Sequence, residues 1–174
     1  ELFGALLGDG NTGKYFARWG NGRFIYCTDL TCNAKKDFEY VQKIAGIVQR
    51  NFFAKGYIRV YRNDGTVRAS FRSKPLHEWL LQMGYPAGSK PRNFGLTGEI
   101  LGLPTENINC VIRGLLDTDG CIYARKDEKF RYPYVSINSV SSLLKSQIKE
   151  VLKKQGFPAF IHANDVSTRG IKNF

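Results

Sequence analysis

Two short stretches of the chain repeat one another: Leu2-Phe-Gly-Ala-Leu-Leu-Gly-Asp-Gly10 and Ile112-Arg-Gly-Leu-Leu-Asp-Thr-Asp-Gly120. Aligned without gaps, they place Gly4 on Gly114, Leu6 on Leu116, Asp9 on Asp119 and Gly10 on Gly120. Each reads as a short helix ending in an acid followed by glycine. Gly4 and Gly8 lie one turn apart on one helix face, and Gly114 and Thr118 do the same, so two such helices could approach closely through small residues. The rest of the chain reads as arranged around these two stretches.

The acid at the end of each helix is chemically odd. A carboxylate in the last turn faces the negative end of the helix dipole and costs about 0.3 to 1 kcal/mol. Two of them converging would repel, unless a hard divalent cation and a phosphate sat between them, as carboxylates and substrate phosphate commonly hold Mg²⁺. A plain turn after a helix explains one Asp-Gly pair. Two matched copies favour the cation reading.

The paired motif closely resembles that of the LAGLIDADG homing endonucleases in their single-chain form, and the segments between and after the motifs also fit that family's repeat. The resemblance implies an α+β fold, a pseudo-two-fold pair of α-β-β-α-β-β-α halves. Antiparallel sheets would form a DNA-binding saddle, with the motif helices at the central interface. Residues 1–84 would be the N-terminal half, 85–105 a linker and 106–174 a C-terminal half. The family's metal-binding acids fall on Asp9 and Asp119, with Gly8 and Thr118 beside them as further candidate ligands. A basic family segment before the second motif is matched by Gly88-Ser-Lys-Pro-Arg92, making Lys90 a candidate for stabilising charge at the scissile phosphate. Asn33 and Asn138 fall roughly where family members place polar residues of a water network, at the start of the second helix of each half.

Composition bounds the partner. The 174 residues carry 26 Lys and Arg against 15 Asp and Glu, a net charge of +11, and the length suits one core or two intimately packed halves. The cations are spread among aromatics in strand-like segments, as on a folded nucleic-acid-binding face. No apolar run approaches the roughly 18 residues of a membrane helix, and no signal peptide is visible, so an intracellular protein is expected, in the cytoplasm of a prokaryote or in an organelle. Cys27, Cys32, Cys110 and Cys121 lack close pair spacing and His77 is far from His162, which argues against zinc. The start at Glu1, almost inside the first motif, suggests that a few natural residues precede it.

In chain order, Lys14–Trp19 and Gly22–Thr31 read as a hairpin turning at Gly20-Asn21-Gly22. Lys14, Arg18, Trp19, Arg23 and Tyr26 punctuate it, and a period of two lets one face pack on helices while the other meets DNA. From Lys35 to about Phe53, Phe38, Val41, Ile44, Ala45, Val48 and Phe52 recur at helical spacing. A second hairpin, Tyr57–Arg62 with Thr66–Arg72, carries Arg59, Tyr61, Arg68, Ser70 and Arg72, and arginine bidentate to guanine is the commonest specific major-groove contact. Lys74–Met83 is a short helix. The second half repeats the scheme with strands Cys121–Lys126 and Tyr132–Asn138, a helix Val140–Lys154 and a strand Phe157–Ala163. Arg125, Lys126, Lys129, Arg131 and Tyr134 supply its basic surface. Residues 164–174 leave room for at most one more strand, so this half would lack the family's closing helix.

Two rival motifs fail on their own terms. Gly8-Asp-Gly-Asn-Thr-Gly-Lys14 nearly spells a phosphate-binding loop, but Tyr15 stands where Ser or Thr should hold Mg²⁺ and no helix pattern follows. Asp117-Thr-Asp-Gly120 starts like a calcium loop, yet Ile122 occupies its required glycine. The resemblance implies a monomeric homing endonuclease. It would make double-strand breaks in a long DNA target with Mg²⁺, for which Ca²⁺ or Mn²⁺ could substitute in binding or activity, from an intron-encoded gene, with an intein or a free-standing gene as the other settings the sequence leaves open. The alternative is a non-cleaving nucleic-acid-binding protein on the same fold, an RNA-splicing maturase working on intron RNA or a DNA-binding regulator.

Overall fold

The computed structural model describes residues 1–18, 22–124 and 133–169. They form two compact units, Glu1–Lys90 and Pro91–Phe174. The first contains α1 (Leu2–Asp9), β1 (Gly10–Ala17), β2 (Arg23–Asn33), α2 (Phe38–Phe52), β3 (Gly56–Tyr61), β4 (Thr66–Phe71) and α3 (Lys74–Gln82). The second contains α4 (Gly98–Leu101), α5 (Thr105–Asp119), β5 (Gly120–Ala124), β6 (Pro133–Asn138), α6 (Ser142–Lys154), β7 (Ala159–Ile161) and β8 (Asp165–Arg169). Each unit has one antiparallel four-stranded sheet, ordered β1-β2-β4-β3 and β5-β6-β8-β7, so the same topology occurs twice.

The pleat decides which face of the first sheet is covered. In β4, Val67, Ala69 and Phe71 are fully buried, while Thr66, Arg68 and Ser70 alternate onto the other face. Helix α2 lays Val41, Ile44 and Val48 on the core at i, i+3 and i+7. Helix α3 starts at Ser73, whose Oγ accepts from the Leu76 amide at 3.2 Å, and buries Leu76, His77 and Leu80.

His77 is a packing residue with a polar duty. Its Nδ1 lies 3.0 Å from Thr12 Oγ1, which is 2.8 Å from Thr28 Oγ1, so one buried chain of hydrogen bonds ties α3 to β1 and β2. Burial holds the imidazole below its ordinary value of 6.5, opposed by Glu78 and reinforced by Lys14. The unfolded chain therefore takes the proton more readily than the fold does. The stability contributed here is fully present above pH 6.5 and is lost as the pH falls below it. Urea melts between pH 7 and pH 5 should show this decline, and His77→Gln should flatten it at a cost of about 1 kcal/mol near neutrality. An equally steep decline in the variant would remove His77 from the effect.

Two expectations need correction. The first strand begins at Gly10 and not at Lys14, and β5 begins at Gly120, one residue ahead of Cys121, because the chain passes from helix to strand without a loop. The second motif helix begins at Thr105, with Ile108, Val111, Ile112 and Leu115 buried along one stripe. The expected 85–105 linker is divided between the units. The Gly88 amide donates to Thr12 O at 2.8 Å in the first, whereas Phe94 O accepts from Ser141 Oγ and the Leu96 amide donates to Gln147 Oε1 at 2.7 Å in the second.

Candidate metal centre and nucleic-acid interface

Both acids stand on the same backbone device. At the end of α1, the Gly10 amide donates to Leu6 O while its φ of −96° and ψ of 165° already belong to a strand. At the end of α5, the Gly120 amide donates to Leu116 O at φ −88° and ψ 158°. The next strand thus folds back over the last helical turn, and the acid just before the glycine is held at the bend. A Cβ on Gly10 would lie 2.5 Å from Leu6 Cα and O, and one on Gly120 would lie 2.2 Å from Leu116 O. Any larger residue would have to push helix and strand apart.

In the first unit, the end of α1 has gathered positive charge and donors around its carbonyls. Tyr85 Oη donates to Leu6 O at 2.8 Å, and Lys90 Nζ donates to Leu7 O at 2.8 Å and also to Gly8 O. The segment after α3 therefore returns to clamp the helix end, a role that nothing in the local sequence pattern of Tyr85 announces. The Tyr85 hydroxyl is buried and its acidity strongly suppressed by that burial. Desolvation holds the Asp9 carboxyl above the ordinary carboxylate value. The Lys90 ammonium pulls it down, the Asp37 carboxylate pushes it further up, and a hydrogen bond from Cys32 lowers it. Asp37 stands at the N-cap of α2, where its Oδ2 accepts from the Asn33 amide at 3.1 Å, and it went unrecognised in the sequence.

This donor set fits a hard cation. A partly desolvated carboxylate beside helix-end carbonyls that already bind an ammonium is an oxygen-rich, electron-rich corner of the kind Mg²⁺ and Ca²⁺ select. Among the described residues no cluster of three or more His, Cys, Asp and Glu side chains makes a closed cage. Backbone oxygen would have to complete the ligand set.

In the second unit, Thr118 Oγ1 donates back to Gly114 O at 3.1 Å and to Leu115 O at 3.2 Å, so its hydroxyl serves its own helix. Asn138 Nδ2 donates to Asp119 O at 3.3 Å. Asn33 and Asn138 end strands β2 and β6 and do not begin the helices that follow. Asn33 Oδ1 accepts from the amides of Lys35 and Lys36, closing the turn into α2.

The register sorts the basic residues by face. Arg23, Arg59, Tyr61, Arg68 and Ser70 share the face away from the helices, Arg72 continues it just beyond β4, and Arg18 is exposed past the end of β1. Lys14 and Tyr26 pair with each other on the opposite, helix-covered face. There Tyr26 lies 5.2 Å from the His77 ring, and Lys14 Nζ sits 4.0 Å over Phe24. Period-two reading does not fix which parity faces outward; Thr28 and Leu30, buried on the parity of Tyr26, decide it. Tyr134 is buried, stacked on Tyr123 at 5.4 Å, and its hydroxyl accepts from Arg169 at 3.4 Å, so it is no free surface contact. Trp19, Arg125, Lys126, Lys129 and Arg131 lie outside the described residues.

Comparison with known proteins bears on this geometry. Residues 106–173 match the model of the LAGLIDADG-like domain. The crystal structure of I-DmoI in complex with DNA and Mn superposes with a TM-score of 0.68 at 17% identity, over 97% of this chain and 86% of that one. The LAGLIDADG meganuclease I-AabMI bound to uncleaved DNA gives 0.59 at 13% identity, over 98% and 77%. The ATP-dependent DNA helicase Hel308 of Thermococcus kodakarensis is 30% identical over 98% of this chain, which spans 14% of that protein's length. The second unit thus matches the LAGLIDADG-like domain, and the chain as a whole has the fold of the LAGLIDADG homing endonucleases.

Proposed function

We propose that the chain is a metal-dependent endonuclease that binds a long double-stranded DNA target through its two sheets and breaks both strands. The observation that carries this reading is the helix end built twice, each fixing an acid at a loop-free bend, with surroundings at Asp9 that suit a hard cation. Solved relatives of the same fold hold DNA with Mn and DNA with Ca, which supports both the partner and the use of divalent metal. Asp9 with the Gly8 carbonyl would hold one cation-binding corner, and Asp119 with the Thr118 carbonyl the other, each serving one strand. When bound, Mg²⁺ there supplies neutralisation of phosphate oxygens and lowers the pKa of a coordinated water.

The chain's own residues would do the rest. The bend glycines fix the carboxylates, and Lys90, resting on the Leu7 and Gly8 carbonyls, brings a positive charge to where a phosphate would lie. Asn138, anchored on the Asp119 carbonyl, would order water at the second end, and Asn33, at the turn into α2, would do so in the first unit. A water oxygen then bonds to phosphorus as the bond to the leaving oxygen breaks, with no side-chain nucleophile.

The activity named for the helicase relative does not carry over. The stretch Gly8–Lys14, which nearly spells a nucleotide loop, runs from the end of α1 straight into β1 and forms no phosphate cradle. The match within 14% of a longer protein supports a module carried in a larger polypeptide. We take the module to act as a monomer. The test is a selection of bound duplexes from a random pool in Ca²⁺, followed by Mg²⁺. Breaks in both strands at one position are expected; a recovered site that stays intact in Mg²⁺ would instead favour the non-cleaving reading, and structured RNA would be the next pool.

A further inference from the structure

On the open face of the first sheet, Arg59 and Arg68 sit directly opposite each other in the β3–β4 ladder. Like charges so placed destabilise a sheet unless something anionic lies over them. Among the described residues no carboxylate lies within ion-pair distance of either, and the Asp64 carboxylate acts on Arg68 only from further off, as the last of the causes that lower its own value. Both guanidiniums instead share one aromatic ring, with Cζ 5.2 Å from the Tyr61 centroid for Arg59 and 5.3 Å for Arg68.

The two arginines are held differently. Arg68 stands on β4, between β2 and β3, and its Nε donates to Thr31 Oγ1 at 3.2 Å. With Nε engaged and Tyr61 against the plane, the two terminal nitrogens remain as a fork of fixed direction. Such a fork matches O6 and N7 of guanine in the major groove, a contact in which aim matters as much as charge. Arg59 stands on the edge strand β3 with the Tyr61 ring as its partner, so it keeps reach at the expense of aim. Positional freedom suits a phosphate, which carries charge but no sequence.

We propose that Arg68 is a specificity-determining residue that reads one guanine, pre-aimed by Thr31 and Tyr61, and that Arg59 beside it grips the DNA backbone. This rests on the sheets being the DNA-binding surface, but not on cleavage. The test is the bound-duplex selection in Ca²⁺ with the whole chain, comparing wild type, Arg68→Lys, Thr31→Val and Arg59→Ala, followed by titrations at several salt concentrations.

Wild type is expected to recover a site with one guanine whose replacement weakens binding about 5- to 150-fold. Arg68→Lys keeps the charge but loses the fork, so that preference should vanish while the salt dependence stays. Thr31→Val should weaken the same preference. Arg59→Ala should leave every base preference in place and reduce the slope of log affinity against log salt by about one. If Arg68→Lys keeps all the wild-type preferences, or if wild type recovers no shared guanine, the proposal is overturned. If the guanine is lost as expected but wild type leaves the site intact in Mg²⁺, the endonuclease reading fails and this one stands.

Discussion

Asp9→Asn and Asp119→Asn are each expected to lower double-strand cleavage by at least about 10³-fold, the scale set by the several kcal/mol of charge stabilisation a metal supplies. Duplex affinity should stay near that of wild type, because the open sheet faces are untouched. Cleavage assays on the selected duplex in Mg²⁺, with gel shifts alongside, measure both. Normal cleavage by either variant would remove that acid from the metal site. The same substitution should act oppositely on stability. In metal-free buffer near neutrality, Asp9→Asn removes a desolvated negative charge from the negative end of α1, and should stabilise the fold by about 0.3 to 1 kcal/mol. Burial raises the acid's folded value, so its penalty is present above that value and is relieved as the pH falls. A stabilising Asp9→Asn with cleavage lost would show that the acid serves the proposed metal site at the expense of the fold.

The paired motif and the strand alternation were legible in the sequence because each is a local pattern. Val41, Ile44 and Val48 announced α2 by their spacing, and Val67, Ala69 and Phe71 announced the covered face of β4 by theirs. What could not be read was set by distance along the chain. Tyr85 and Lys90 reach carbonyls about eighty residues earlier, and no periodicity records such a return. The faces of Lys14 and Tyr26 depend on where α3 lands, a tertiary fact. Tyr134 looked like a surface aromatic among cations and is instead packed between Tyr123 and Arg169. By contrast, the early start of α5 did have a signal. Ile108, Val111, Ile112 and Leu115 fall at helical spacing, but the polar run Thr105-Glu-Asn107 masked it.

Gly120→Ala and Gly10→Ala are each expected to cost about 3 kcal/mol or more, at the upper end of what overpacking does to a core. The reason is space and not backbone freedom. Both glycines have φ and ψ in the ordinary strand region, which any residue can adopt. Yet the added methyl would meet the backbone of Leu116 at 2.2 Å or of Leu6 at 2.5 Å, and backbone of the same helix turn cannot swing aside as a side chain can. Gly65 makes the opposite case within the same protein. Its φ of +68° is left-handed, but nothing lies within 4 Å of a Cβ there, so Gly65→Ala should cost only about 1 to 2 kcal/mol. Urea unfolding of the three variants separates the two mechanisms. A small penalty at Gly120 would mean that the helix end and strand can part without loss. In that event the bend would not be what fixes Asp119, and the acid's position would have to be set from elsewhere. A large penalty, with duplex cleavage lost in any variant that still folds, would tie the motif glycine to catalysis through sterics alone.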